Sequence, residues 1–562
     1  MSVDASRRRS ALLLAAPIIL VLTWTVIYPN IAVIIGTFGH GLGYWRDFAN
    51  SPADLEALWT TLYISLASVV ASLVIGVPLA FLLSRFEFRG RRILAVAATL
   101  PAALPPLVGV ISFLFLYGES GVVTRVVQHL LGLEEAPWRL SGAWAIVFIH
   151  AYTMYVYVYL FVSAGLERYD SSLDEAAAGL GAGRWRRLRR VTLPLLTPAL
   201  VGAMLLVFMS SLGSFSAPYI FGGGLRVLST QVVTSKLNGA MGLVYVETTV
   251  LALTAVAAFM LLRWIEGRRR YTLSGKGKAT RVLLASPVLR AVAPVLASAI
   301  IFVLVLPHLM VILVSFARDG AWTTQALPPE YTFDNYRRLA TDAQLWTPIR
   351  ASVLMSLVAT VGNIGVCFAA AYLVVLRRFP GRRLLQLLTA LPWAIPATAI
   401  AIGLATTFDR NDLTTGRVLL IGTFWILPLA YFIRGVPIVA GAVESSLKQM
   451  DPSLEDAARG LGASWWLTMR RVVIPAARPG LAAGAMLAAV GALGEFVASV
   501  VLYTHQNRPI SMEILAQLRD LSFGTAAAYS VLLILLVLAV TIGASWIAGR
   551  GTVGAEPPLA PN

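Results

Sequence analysis

The chain runs to 562 residues, 58% of them hydrophobic and only 13% charged, with a mean hydropathy of +0.76. A soluble domain carries about 25% charged residues, so a row of soluble domains is excluded and an integral membrane protein remains. The formal charge of +17 fits nucleic acid, a membrane surface or topology, while the single cysteine, Cys367, excludes a disulfide framework or a cysteine-built metal cluster within one chain.

Apolar stretches near the roughly 20 residues needed to cross a bilayer recur along the whole chain. In order they predict spans at 11–36, 58–84, 93–117, 143–166, 195–220 and 246–262, then at 289–316, 351–376, 384–407, 418–443, 480–503 and 525–548. The expected fold class is an all-α polytopic membrane protein of about twelve transmembrane helices. Arg7, Arg8 and Arg9 precede the first stretch. That stretch is longer than the roughly 7–15 apolar residues of a secretory signal and lacks an A-x-A site, so it is expected to be a retained helix with a cytoplasmic N-terminus. Alternating the loops from there places about 31 of the 45 Lys and Arg inside, the skew that retention of basic residues on the cytoplasmic side produces. The charge is thus read as topology, with both termini cytoplasmic and no nucleic-acid partner.

The two sets of six helices are copies. Asp170-Ser-Ser-Leu-Asp-Glu-Ala-Ala-Ala-Gly-Leu-Gly-Ala182 returns as Asp451-Pro-Ser-Leu-Glu-Asp-Ala-Ala-Arg-Gly-Leu-Gly-Ala463, an offset of 281 that extends to Trp185/Trp466, Pro194/Pro475 and Pro198/Pro479. At offset 291, Gly90-Arg91-Arg92 matches Gly381-Arg382-Arg383, and Leu100-Pro101 matches Leu391-Pro392. The organisation expected is a first repeat at 1–262 with the duplicated loop at 167–194, a basic cytoplasmic linker at 263–288, a second repeat at 289–550 with its copy of the loop at 444–475, and a tail at 551–562. Parallel repeats imply a pseudo-two-fold axis along the membrane normal. Gly275-Lys276 in the linker lacks the remaining positions of a phosphate-binding loop.

The duplicated loop carries the most specific signal. It reads Glu175-Ala176-Ala177, three residues, Gly181, nine residues, then Val191-Thr-Leu-Pro194; its copy reads Asp456-Ala457-Ala458, three residues, Gly462, nine residues, then Val472-Val-Ile-Pro475. Asp170 or Asp451, with Ser172 or Ser453, stands where a helix N-cap belongs. The alanines give a helix slim enough to enter a groove, and Gly181 and Gly462 release the chain without a Cβ penalty. This pattern resembles the E-A-A-x-x-x-G signature of ATP-binding-cassette (ABC) importer permeases, here of the fused double type, with Asp456 replacing the usual Glu. The resemblance implies the type I importer permease fold in the bacterial inner membrane. It also implies that Glu175, Ala176, Ala177, Gly181, Asp456, Ala457, Ala458 and Gly462 contact a cytoplasmic ATPase dimer. ATP and Mg would sit on that ATPase and no cofactor in this chain, and an extracytoplasmic solute-binding protein would deliver the solute. No catalytic or metal-ligating set is expected.

Polar groups inside predicted spans are expensive in lipid and so informative. Glu495, in Leu493-Gly494-Glu495-Phe496, has Ser214 as its counterpart in Leu212-Gly213-Ser214-Phe215. Both are candidates for the solute pathway, with a helix-packing hydrogen bond as the alternative. Arg434 is expected to pair with an acid or to reach an interface, and the stripe of His150, Tyr152, Tyr155, Tyr157 and Tyr159 to be packing. Pro101, Pro105 and Pro106, mirrored by Pro392 and Pro396, should break helices and free backbone carbonyls that protein or water must cover. A secondary transporter would leave the duplicated loop without a role. For substrate, Phe221-Gly-Gly-Gly-Leu-Arg226 and Pro509-Ile-Ser-Met-Glu513 look closest to ferric iron permeases, with thiamine, polyamine and phosphonate systems as alternatives.

Overall fold

The computed structural model describes residues 2–168, 171–268, 282–283, 287–322, 325–409, 417, 419–451 and 453–549. Most of the expected linker and the whole tail from 551 lie outside these. Among the described residues, eleven helices are long and apolar enough to cross a membrane, and a twelfth candidate is a bent pair. A two-residue parallel pairing of Phe86–Glu87 with Val282–Leu283 interrupts the all-helical plan.

Several spans depart from straight rods, each for a visible reason. The stretch expected at 384–407 is two helices, Arg382–Ala394 and Ala397–Thr407, bent by 108°, because Pro396 has no N–H and restricts Ile395 to extended backbone. Its counterpart at 93–117 divides into Arg91–Ala97, a short 3-10 turn at Leu100–Ala103 and Pro106–Tyr117. The freed carbonyls there are covered: the Tyr155 hydroxyl donates to Ala98 O at 2.8 Å and Tyr159 to Ala95 O at 3.4 Å. Two tyrosines of the expected packing stripe therefore also satisfy a broken helix. The spans expected at 195–220 and 480–503 instead run over Trp185–Leu212 and Trp465–Leu493. Each begins with a wide helical turn, Leu188–Thr192 or Met469–Val473. Pro194 and Pro475 sit just beyond these turns, and the wider bonding pattern accommodates the missing donor. The span expected at 418–443 starts later, at Ile426.

The chain divides into two compact units, Leu42–Asn335 with Leu521–Ala528, and Met1–Gly41 with Tyr336–Asp520 and Tyr529–Asn562. In the first, Pro52–Arg85, Gly142–Glu167 and Leu193–Leu212 pack together, and Pro287–Ser315 lies against Pro106–Tyr117. The Tyr152 hydroxyl, on Gly142–Glu167, donates to the Leu304 carbonyl of Pro287–Ser315. In the second, Ala343–Leu376, Ile426–Lys448 and Ile474–Leu493 form the core. Gly480 and Gly484, one turn apart, admit the neighbouring backbone: a Cβ on Gly484 would lie 2.9 Å from Val439 Cα. Tyr28–Gly36 packs on Ala397–Thr407, with Trp24 edge-on to Phe408 at 5.0 Å. Each unit thus takes its opening helix, Ser2–Leu22 onward or Pro287–Ser315, from the other sequence half.

Candidate functional site

The two duplicated loops fold as short helices, Ser171–Gly179 and Ser453–Gly460. Asp451 caps the second: its Oδ1 accepts the Ser453 N–H at 2.9 Å, and that bond with the Ser453 hydroxyl holds the Asp451 carboxyl below the usual carboxylate range. Asp170 lies outside the described residues. Both helices end on a left-handed glycine, Gly181 at φ +78° and Gly462 at φ +81°. Ala182 N–H then donates to Ala177 O and Ala463 N–H to Ala458 O, each at 3.0 Å, closing the helix end as a glycine C-cap does.

Glu175, Ala176, Asp456 and Ala457 are exposed, with Ala177 and Ala458 half-buried. The acids that grip the protein stand one residue earlier. Asp174 meets Arg85 at 2.6 Å and Arg187 at 3.1 Å. Glu455 meets Arg377 at 2.6 Å and Arg459 at 3.5 Å, and Tyr372, under the Arg377 guanidinium at 4.7 Å, also donates to Glu455 at 3.5 Å. Consecutive helical residues point about 100° apart, so turning Asp174 and Glu455 inward turns Glu175 and Asp456 out. The outward face carries Leu173, Ala176, Ala177 and Leu180, or Leu454, Ala457, Ala458 and Leu461. This is an i, i+3, i+4, i+7 apolar stripe that an ordinary helix would bury. Here Leu180 and Leu461 are 89% and 90% exposed. Sequence reasoning found the motif and missed the clamps; that periodic stripe was the signal available.

The pathway candidates occupy matching interruptions. Helix Leu193–Leu212 stops at Gly213 and resumes at Ser216; Ile474–Leu493 stops at Gly494 and resumes at Val497. Ser214 and Glu495 sit in the gaps. In the first, Ser229 donates to Ser214 O at 2.6 Å, and in the second Ser511 donates to Glu495 O at 2.9 Å. The next helix is anchored alike, Leu228 N–H on Thr61 and Ile510 N–H on Ser352, both at 2.8 Å. The side chains differ. Ser214 is 2.9 Å from His150 Nε2, whose Nδ1 meets Ser68 at 3.0 Å and Ser211 at 3.1 Å. Glu495 pairs with Arg434 at 2.6 Å and accepts the Ala498 N–H at 3.0 Å. His150, expected as packing, is thus a polar hub, and Arg434 has the acid partner expected of it. Among the described residues no group of three His, Cys, Asp or Glu is placed to hold a metal ion.

The family described as "Binding-protein-dependent transport system inner membrane component" matches residues 72–271 and 362–551, leaving the exchanged opening helices outside both matches. The chain is similar to a probable ABC transporter permease protein, y4fN, of Sinorhizobium fredii, at 28% identity over 91% of this chain and 90% of that one. It is similar to the ferric transport system permease protein FbpB of Actinobacillus pleuropneumoniae, at 26% over 95% of this chain and 77% of that one. The sulfate transport system permease protein CysW of Escherichia coli is 30% identical over 37% of this chain and 69% of its own length. A solved bacterial ABC transporter involved in alginate import matches 47% of this chain and 98% of its own at 20% identity, with a TM-score of 0.39.

Proposed function

Because the chain belongs to the family of binding-protein-dependent transport system inner membrane components and carries that domain twice, we propose that it is a translocation subunit presenting both coupling helices to one ATPase dimer. The observation that carries this reading is the pair of clamped helices, each offering Leu180 or Leu461 almost fully to solvent. A stripe of that kind is an interface waiting for a groove, and Glu175 and Asp456 flank it as charged contacts. ATP and Mg belong to the partner, and this chain transmits motion through Asp174 and Glu455 into Pro52–Arg85 and Ala343–Leu376. The basic loops then face the cytoplasm, both termini with them, and an extracytoplasmic binding protein delivers solute to the opposite face.

For the solute, ferric iron is the reading we favour, supported by the ferric transport permeases among the relatives matched over most of this chain. Two measurements test the proposal. A Cβ at Gly181 or Gly462 would meet nothing within 4 Å, so Gly181→Trp with Gly462→Trp disturbs the local turn and the outward face while leaving the core packed. Co-purification of the ATPase should be lost in that variant, and undiminished association would overturn the coupling assignment. Binding calorimetry on the cognate binding protein should give heat with Fe(III) and none with thiamine or organophosphonates. Tight thiamine binding without Fe(III) binding would replace the substrate and leave the coupling role standing.

A further inference from the structure

A groove of about 550 Å³ runs between Ala343–Leu376, Ile474–Leu493 and Phe523–Gly549, within the volume range of ligand clefts, about 300–1,000 Å³. It exists because the second repeat is small where the first is large. Ala485, Ala489, Gly543 and Ala544 line it, whereas the equivalent first-repeat positions hold Met204 and Phe208 at offset 281, and Leu261 and Leu262 at offset 282, the register that pairs Trp264-Ile-Glu-Gly-Arg268 with Trp546-Ile-Ala-Gly-Arg550. A Cβ at Gly543 would meet nothing within 4 Å. Ser356, 4% exposed, and Thr360 also line the groove, and their buried hydroxyls lack a hydrogen-bond partner among the described residues.

The shape selects the occupant. Lining residues extend along one helix from Arg478 to Leu493, roughly 22 Å at 1.5 Å per residue. Spread over that length, the groove is narrower than the roughly 10–12 Å diameter of a helix with its side chains. A single hydrocarbon chain fits and a partner helix does not. The charge selects the headgroup. Arg478, exposed and with no ion-pair partner among the described residues, closes the end nearest the coupling helix, with Arg470 and Arg471 exposed two turns earlier. In the first repeat the position of Arg478 is Thr197.

We infer that this groove is a binding site for one anionic phospholipid, its phosphate on Arg478 and one acyl chain along Ala485, Ala489 and Gly543. The test is native mass spectrometry of the delipidated full chain, titrated in parallel with dioleoyl phosphatidylglycerol and dioleoyl phosphatidylcholine. The wild type should retain one phosphatidylglycerol in preference to phosphatidylcholine. Arg478→Ala, a change on an exposed side chain, should weaken phosphatidylglycerol about fivefold and leave phosphatidylcholine unchanged. Ala489→Phe with Gly543→Leu restores the first-repeat residues and should abolish retention of both. Equal retention by wild type and the filled variant would overturn the site. So would an Arg478→Ala variant that keeps its phosphatidylglycerol preference, or a small membrane protein that co-purifies with wild type and is released by the filled variant.

Discussion

The interruptions at Gly213 and Gly494 share one backbone and carry opposite chemistry. The same serine-to-carbonyl bond, from Ser229 or Ser511, and the same anchored amide, Leu228 or Ile510, hold both gaps. Within that frame one gap holds a neutral hydroxyl network around His150, and the other a carboxylate against a guanidinium. Duplication thus preserved what the backbone requires, because an unpaired buried amide or carbonyl is penalised whatever the side chain. The side chain at the gap was free to diverge, and the divergence concentrates charge in one repeat.

The largest effect should come from breaking the charged gap. Arg434→Ala leaves the buried Glu495 carboxylate with only the Ala498 N–H, and removing one partner of a buried pair costs about 3–5 kcal/mol. Glu495→Ala should cost less, about 1.5–3 kcal/mol for a bond to a charged group, because Arg434 is 38% exposed and water can replace its partner. The double change of Arg434 and Glu495 to Met should recover most of the loss, since matched apolar replacements of a buried pair are often neutral. Thermal unfolding in detergent reads all three. In the neutral gap, His150→Ala removes a hub bonded to three serines, yet strands hydroxyls rather than a charge, and should fall between about 1 and 3 kcal/mol. If Arg434→Ala proved milder than His150→Ala, the distinction between the gaps would fail.

A second contrast lies in the clamps, and it explains what could be read from the sequence. The repeat, the motif and the glycine caps are local patterns, so Gly181 and Gly462 could be named from spacing alone. Which of two adjacent acids turns inward is not local. Asp174 finds Arg85 from 89 positions away, and Glu455 finds Arg377 from 78. The two arginines are not at equivalent positions: offset 291 aligns Arg85 with Leu376, so even the repeat conceals them. The interruptions were equally hidden, because Leu-Gly-Ser-Phe and Leu-Gly-Glu-Phe are apolar enough to continue a span on composition. Loosening the clamps should uncouple motion while sparing the fold. Asp174→Ala and Glu455→Ala each remove charge-assisted bonds worth about 1.5–3 kcal/mol. In reconstituted vesicles, solute taken up per ATP hydrolysed should fall in both. Unchanged coupling would show that the exposed face alone carries the force.

The smallest effect tests what the repeats have in common. Ser229→Ala and Ser511→Ala each delete one neutral hydroxyl donor to the carbonyl at a gap, a loss of about 0.5–1.5 kcal/mol. The two bonds are alike, 2.6 Å to Ser214 O and 2.9 Å to Glu495 O. The carbonyls, however, are not equally supported: Ser499 also donates to Glu495 O at 2.7 Å, whereas its first-repeat equivalent is Pro218, which has no hydroxyl to offer. Ser511→Ala leaves that second donor in place and should therefore lie at the low end of the range, with Ser229→Ala at the high end. Adding Ser499→Ala to Ser511→Ala should exceed the sum of the two single changes, because only the pair leaves Glu495 O bare of hydroxyl donors. Strict additivity would mean that the charged Arg434–Glu495 contact alone fixes the gap, and that the backbone frame shared with the first repeat is incidental there.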